Sequence, residues 1–252
     1  MFQDPQKEIA KIIAFIQNTV STAGVQKLVM GLSGGIDSAL VATLCAQALG
    51  PEAVTAVCLP YKTSNPQSLH DAHLLAKFVG IKLRIISITA LVDSYFQKDA
   101  PQADTLRKGN FMARQRMCIL YDLSAELPAL VVGTSNKSEI YTGFCTIYGD
   151  AACAFEPIGH LYKTEVFTLA KTLRIPESII QKKPSADLWE NQTDEEDLGI
   201  SYARLDQILM FHLDQKMTQQ EVLARGFSEQ EYNLVLHKIQ KSEYKRKMPL
   251  LL

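Results

Sequence analysis

Charge of one sign is what this chain of 252 residues most lacks: 26 Lys and Arg stand against 27 Asp and Glu, a formal net charge of −1. Without a broad basic field, a nucleic-acid partner would need a local patch, and the only dense basic run is KRK at 245 to 247. No nucleic-acid partner is expected. Long apolar runs are missing too: none reaches roughly the 18 residues that a membrane span requires. The N-terminal MFQDPQKEIAKIIAFIQ lacks the charged-then-apolar order of a signal peptide. Cysteine is sparse and odd in number, with five residues (Cys45, Cys58, Cys118, Cys145, Cys153) and no CxxC pair or zinc spacing. That pattern excludes a disulfide framework and predicts reduced thiols in a cytoplasmic protein. Thirteen glycines and ten prolines are too few for collagen or low-complexity sequence, and no internal repeat is evident.

What remains is an ordinary folding composition, 47% hydrophobic and 21% charged, long enough for a sizeable core. One domain spanning 1–252 is expected. Apolar Ile9, Ile12, Ile13 and Ile16 recur at helical spacing, which predicts a helix over 5–22 ended by Gly24. Strand-like runs follow at 27–32, 53–60, 82–88 and 129–135. Helical patterns lie between them at 36–50, 68–80, 91–97 and 110–127, so the strands should form a parallel sheet. SNKSE should start another helix, and KTEVFTLAKTL another. The segments 143–160 and 176–199 carry glycine or proline without a sustained period and read as loops of functional length, the second as a mobile one. Residues 201–241 read as helical with polar breaks.

The stretch with chemical content is GLSGGIDS, 31 to 38, between the first strand and the helix that follows. A strand that ends in glycines and turns into a helix points backbone N–H groups and the positive helix end at one spot, which suits phosphate. Gly34 and Gly35 let phosphate oxygens approach the main chain. The loop has no Lys-Ser or Lys-Thr and is not GxGxxG, so neither common phosphate motif applies. It carries Asp37 instead. A carboxylate beside phosphates requires a divalent cation between them, so Asp37 is a magnesium-ligand candidate; alone, it could equally favour the first turn of its helix.

GLSGGIDS resembles the pyrophosphate loop of the N-type ATP pyrophosphatases. Further blocks narrow the resemblance: GNFMARQRM (109–117), GTSNKSE (133–139), YGDAACAFEPIGHLYKTEVFTLAK (148–171) and PSADLWENQTDEEDLG (184–199). In order and spacing they are similar to NAD synthetases of the ammonia-dependent type. The likeness covers about residues 5–249. It implies an α/β fold, a doubly wound, Rossmann-like parallel sheet with flanking helices of the adenine nucleotide alpha-hydrolase-like kind.

The resemblance also implies roles. ATP would lie against Gly31, Leu32, Ser33, Gly34, Gly35, Ile36, Asp37 and Ser38, with Thr134, Lys163 and Ser185. Asp37 and Glu139 would hold Mg2+, and Lys163 would meet the ATP phosphates. Glu139 follows the fourth strand, which puts it on the same sheet edge as Asp37. Arg114 and Lys245 would contact deamido-NAD, Arg116 facing elsewhere on the helix, and Asp150 of YGD would sit near ammonia. The chain departs from many relatives at Ile147, where a basic residue is usual, at Ala154, where an acidic one is, and at Tyr244, which replaces the histidine of a His-Lys pair. No length is left for an amidase domain, so free ammonia is the expected nitrogen donor, and a homodimer the expected assembly. Two other readings compete: a tRNA-modifying ATP pyrophosphatase, which would need a basic patch, and a non-catalytic adenylate-binding module, which would not need paired carboxylates.

Overall fold

The computed structural model describes residues 2–189 and 192–247. Helix α1 (Pro5–Thr22) starts where Asp4 accepts hydrogen bonds from the N–H groups of Gln6 and Lys7 at 2.9 and 3.3 Å, and Pro5 supplies a helix-ready φ. Its buried stripe is Ile9, Ile12, Ile16 and Val20, the face that the spacing predicts. Then come β1 (Lys27–Gly31), α2 (Ile36–Leu49), β2 (Val54–Cys58), α3 (Pro66–Val79) and β3 (Lys82–Ile85). Two helices, α4 (Thr89–Asp99) and α5 (Thr105–Glu126), fill the crossover to β4 (Ala129–Val132).

The three strand pairs are parallel, in the order β3-β2-β1-β4. From β1 the chain steps outward through β2 to β3 and then returns to set β4 on the opposite side of β1. The direction of winding therefore reverses between β1 and β4, and a crevice opens there at the carboxyl ends of the strands. Alternate residues of the strands face opposite layers. Leu28, Met30, Ala56 and Val132 pack with α1 and α2; Val29, Val57 and Val131 pack with α4 and α5. This is the doubly wound α/β sheet. Helix α2 is buried almost all round, so truncation of its fully buried Leu44 to Ala would cost about 2–5 kcal/mol.

Beyond β4 the described residues carry the helices α6 (Lys137–Thr142), α7 (Lys163–Thr172), α8 (Glu177–Gln181), α9 (Asp194–Leu198), α10 (Tyr202–Leu209), α11 (Gln219–Leu223) and α12 (Glu229–Lys241), with the 143–160 segment between α6 and α7 a loop as expected. The later part of the chain has its own apolar cluster, with Tyr162, Leu205, Leu209, Val222 and Val235 buried together.

Three expectations change. Helix α5 begins at Thr105 rather than 110, because Asp104 accepts from the Arg107 N–H at 2.7 Å and caps it there. The strands end earlier than their apolar runs, since pairing stops where the chain enters the crevice: β4 closes at Val132, not 135. The 176–199 segment, expected to be a mobile loop, contains α8 and α9, anchored by buried Ile179, Ile180 and Leu198. Among the described residues no helix is long and apolar enough to cross a membrane.

Candidate active site

The loop after β1 is shaped by its own side chains. Ser38 Oγ donates to the Gly35 carbonyl at 3.0 Å and accepts from the Ser33 N–H at 3.2 Å, while the Ser33 and Ser38 hydroxyls lie 3.1 Å apart. Gly34 has φ 76°, and a Cβ there would lie 2.2 Å from the Ser68 carbonyl oxygen of α3. Only glycine fits between loop and helix. Gly35 is the N-cap of α2 and offers no side chain, so the first N–H groups of a 14-residue helix open toward the crevice.

Across the switch point, α6 begins with a capping box in which Asn136 and Glu139 bond each other's backbone N–H. The Asn136 amide also donates to Asp37 Oδ1 at 2.9 Å. Glu139 is thus both a cap residue and a neighbour of Asp37. Between them stands Lys163, the first residue of α7, with Nζ 2.5 Å from Asp37 Oδ2 and 3.1 Å from Glu139 Oε1. A buried relay fixes the head of α7: the Lys163 N–H donates to Ser138 Oγ, Ser138 Oγ donates to Asp206, and Asp206 accepts from the Thr164 N–H.

Electrostatics follow from the burial of this cluster. Burial drives the Glu139 carboxyl up to about 8, Lys163 opposing and Asp37 adding to the rise. Burial works against the Lys163 charge, but Asp37 and Glu139 outweigh it and keep the ammonium protonated beyond the usual lysine range. Asp194 of α9 is also raised, again mainly by burial. Its Oδ2 accepts from the Tyr202 hydroxyl, and its buried Oδ1 has no partner among the described residues. Three carboxylates therefore share one lysine.

Asp37, Glu139, Lys163 and Asp194 border one cleft of about 1520 Å³. Its floor is the glycine loop with Thr134 and Ser135, its far wall includes Arg116 and Asp150, and residues 183–189 pass along its mouth. That volume accommodates two nucleotide-sized ligands. Among the described residues no three His, Cys, Asp or Glu side chains gather tightly enough to hold a metal ion by themselves.

The predicted residues divide into groups. Gly31, Leu32, Ser33, Gly35, Ile36, Asp37, Ser38, Thr134, Glu139, Asp150, Lys163, Ser185 and Lys245 all line the cleft. Lys163 lies between the two carboxylates, Asp37 of the loop and Glu139 across from it. Arg114 does not line the cleft and donates from Nε to the Ile147 carbonyl at 3.2 Å. Arg116, set aside by the sequence reasoning as facing elsewhere, is the arginine in the wall, with Nε on the Leu59 carbonyl at 3.0 Å. Lys245 Nζ holds the carbonyls of Gly143 and Cys145 at 2.8 and 2.6 Å. Asp150 Oδ1 accepts from the Thr146 N–H at 2.8 Å, and the protein packed around its carboxyl raises it above the usual aspartate range.

The charged cleft residues that the sequence does not single out include Lys182 and Asp194. They lie beside or inside the blocks PSADL and TDEEDLG, and only their contacts distinguish them from the lysines and acids next to them.

Comparison with known proteins gives a consistent result. The sequence model of the NAD synthase family matches residues 8–249. An NH(3)-dependent NAD(+) synthetase of Fusobacterium nucleatum subsp. nucleatum is 50% identical over 241 residues, 96% of this chain and 93% of that protein. Among solved structures, the NH3-dependent NAD synthetase of Campylobacter jejuni superposes with a TM-score of 0.85 at 40% identity, covering 100% of both chains. An NMN synthetase from Francisella tularensis superposes with a TM-score of 0.89 at 31% identity, covering 100% of this chain and 99% of that one.

Proposed function

The chain belongs to the NAD synthase family, and from that premise we propose how its residues divide the work. The reaction is ATP-dependent amidation of deamido-NAD by ammonia, giving NAD, AMP and pyrophosphate. The nicotinate carboxylate attacks the α-phosphorus of ATP, the bond to the bridging oxygen breaks, and pyrophosphate leaves. Ammonia then attacks the acyl carbon of the adenylate, AMP departs, and the nitrogen loses its proton.

The observation that carries the assignment is the meeting of Asp37, Glu139 and Lys163 beside the glycine loop at the β1/β4 switch point. The open N–H groups of α2 bind the β- and γ-phosphates of ATP, and Thr134 and Ser185 border the nucleoside. Magnesium fits this site by donor chemistry: Asp37 and Glu139 would hold it, and the buried Asp194 Oδ1 near the pair has no partner among the described residues. When bound, it would neutralise phosphate charge as pyrophosphate leaves. Lys163 keeps the carboxylates oriented and offsets charge that develops between them.

Asp150 holds ammonium and takes its proton, which its raised carboxyl favours. Lys245 and Arg114 serve the dinucleotide indirectly, Lys245 through the 143–145 carbonyls it orders and Arg114 through the Ile147 carbonyl it holds. The exposed apolar side chains Leu91, Tyr95, Leu106 and Tyr121 on α4 and α5 support a homodimer, which light scattering would test. Free thiols suit the reducing cytoplasm.

The test is an assay with ATP, magnesium, ammonium and deamido-NAD in which AMP and NAD must appear together. Release of ADP, or full activity of Asp37→Asn, would sink the assignment. The likeness to the Francisella NMN synthetase favours a second acceptor, so the same assay is run with nicotinate mononucleotide in place of deamido-NAD.

A further inference from the structure

The glycine loop lacks the lysine that phosphate loops commonly carry, and Lys163 is occupied by Asp37 and Glu139. Another lysine touches the loop. Lys182 follows α8 directly, and its Nζ lies 3.5 Å from the Gly34 carbonyl, 3.0 Å from Ser68 Oγ and 3.2 Å from Asp71 Oδ2. An ammonium has three protons, and here three acceptors on two segments receive them. Asp71 is fully buried, and its other oxygen accepts from the Gln67 amide at 2.8 Å.

These partners are the parts that give the cradle its shape. Gly34 takes positive φ with the Ser68 carbonyl pressed where its Cβ would be, so the loop is correct only while the first turn of α3 stays in place. Lys182 ties that turn to the loop. It is also the root of the segment along the cleft mouth, and the same segment reaches α3 a second time, where both oxygens of Asp187 accept from the N–H of Asn65 at 3.2 Å. Asn65 is the N-cap of α3.

We infer that Lys182 is a positioning residue for ATP binding: it locks the phosphate loop against α3 and couples that lock to the segment that covers the nucleotide. The inference rests on the reading of this cleft as the ATP site. Its action is indirect, through Gly34, Ser68 and Asp71, so it should set ATP affinity and leave the acceptor side of the cleft alone.

Lys182→Met should weaken ATP binding by about tenfold, the loss expected for charged hydrogen bonds, with KM for ATP raised and KM for deamido-NAD unchanged. It also strands the buried Asp71 charge and lowers Tm. The pair Lys182→Met/Asp71→Asn removes that charge, so it should recover Tm without recovering ATP affinity. Direct titration of the wild-type protein with ATP and magnesium separates the two levels of the argument. No ATP binding by wild type would overturn the reading of the cleft, and the inference with it. ATP binding by wild type with full affinity in the double variant would overturn the inference alone, as would equal rises in both KM values. Lys182 would then merely neutralise Asp71.

Discussion

The turns of the cleft floor are closed locally, while its cover is joined to them at long range. In the floor, Ser33 and Ser38 bond across five positions of sequence and Asn136 and Glu139 across three, and Asn136 and Lys163 then join the two turns through Asp37 across 99 and 126. In the cover, Lys182 reaches Gly34 across 148 positions, Asp187 reaches Asn65 across 122, and Lys245 reaches Gly143 across 102. Local contacts form whenever their segment takes its native turn, so the floor is rigid once the sheet exists. Long-range contacts open without unfolding the sheet, as a cover that admits substrate must. Changes in the floor should therefore cost chemistry or folding, and changes in the cover should cost affinity.

The largest effect belongs to Asp37. Asp37→Asn keeps the shape but removes the charge, and NAD formation should fall by about 10²- to 10³-fold with Tm little altered, measured by rates and thermal melts on one preparation. If KM alone changed, floor and cover would not differ in the way claimed. Gly34→Ala comes next: a Cβ 2.2 Å from the Ser68 oxygen at positive φ should cost about 2–3 kcal/mol in urea unfolding, together with ATP binding.

Glu156 holds the floor at Ser135 and yields a pH prediction. Its Oε2 accepts from the Ser135 N–H at 2.9 Å, and its Oε1 accepts from Cys153 Sγ at 3.1 Å. Burial raises its carboxyl from the ordinary 4.5 to about 7. The native protein keeps a proton that the unfolded chain has released, so stability is lost as pH rises from about 4.5 to about 7. Glu156→Gln should flatten this fall by an amount on the order of 1–3 kcal/mol, read from urea midpoints on either side of the window. An unchanged slope would show that Glu139, Asp150, Asp194 and Asp206, raised in the same direction, account for it. The smallest effect should come from Asp187→Ala, a few-fold rise in KM for ATP at constant kcat, from one hydrogen bond lost in the cover. A larger fall in kcat than in ATP affinity would break the comparison from its other side.

The same division marks what could be read in advance. The floor was legible because its residues are tied to strand-turn-helix units whose period and glycines are visible in the chain: Asp37 and Glu139 follow strands that a parallel sheet must align. Arg116 was passed over for Arg114, since position on a helix shows that two arginines point differently but not which of them meets the cleft. Lys182 was passed over because it stands next to Lys183 with the same chemistry, and only the packing of α3 against Gly34 distinguishes them. The segment 176–199 reads as a mobile loop because its two five-residue helices are too short to show a period.

The sequence by itself determined the alternation of strands and helices, the glycine cradle with its carboxylate, and the family to which the chain belongs. All of these rest on neighbours within a few residues, where backbone preference and spacing decide the outcome. Tertiary structure alone decided that Lys163 lies between Asp37 and Glu139, and that Lys182 stands at Gly34. The reason is electrostatic: a buried lysine goes where the uncompensated carboxylates are, and which carboxylates are buried together is settled only when β1 and β4 become neighbours.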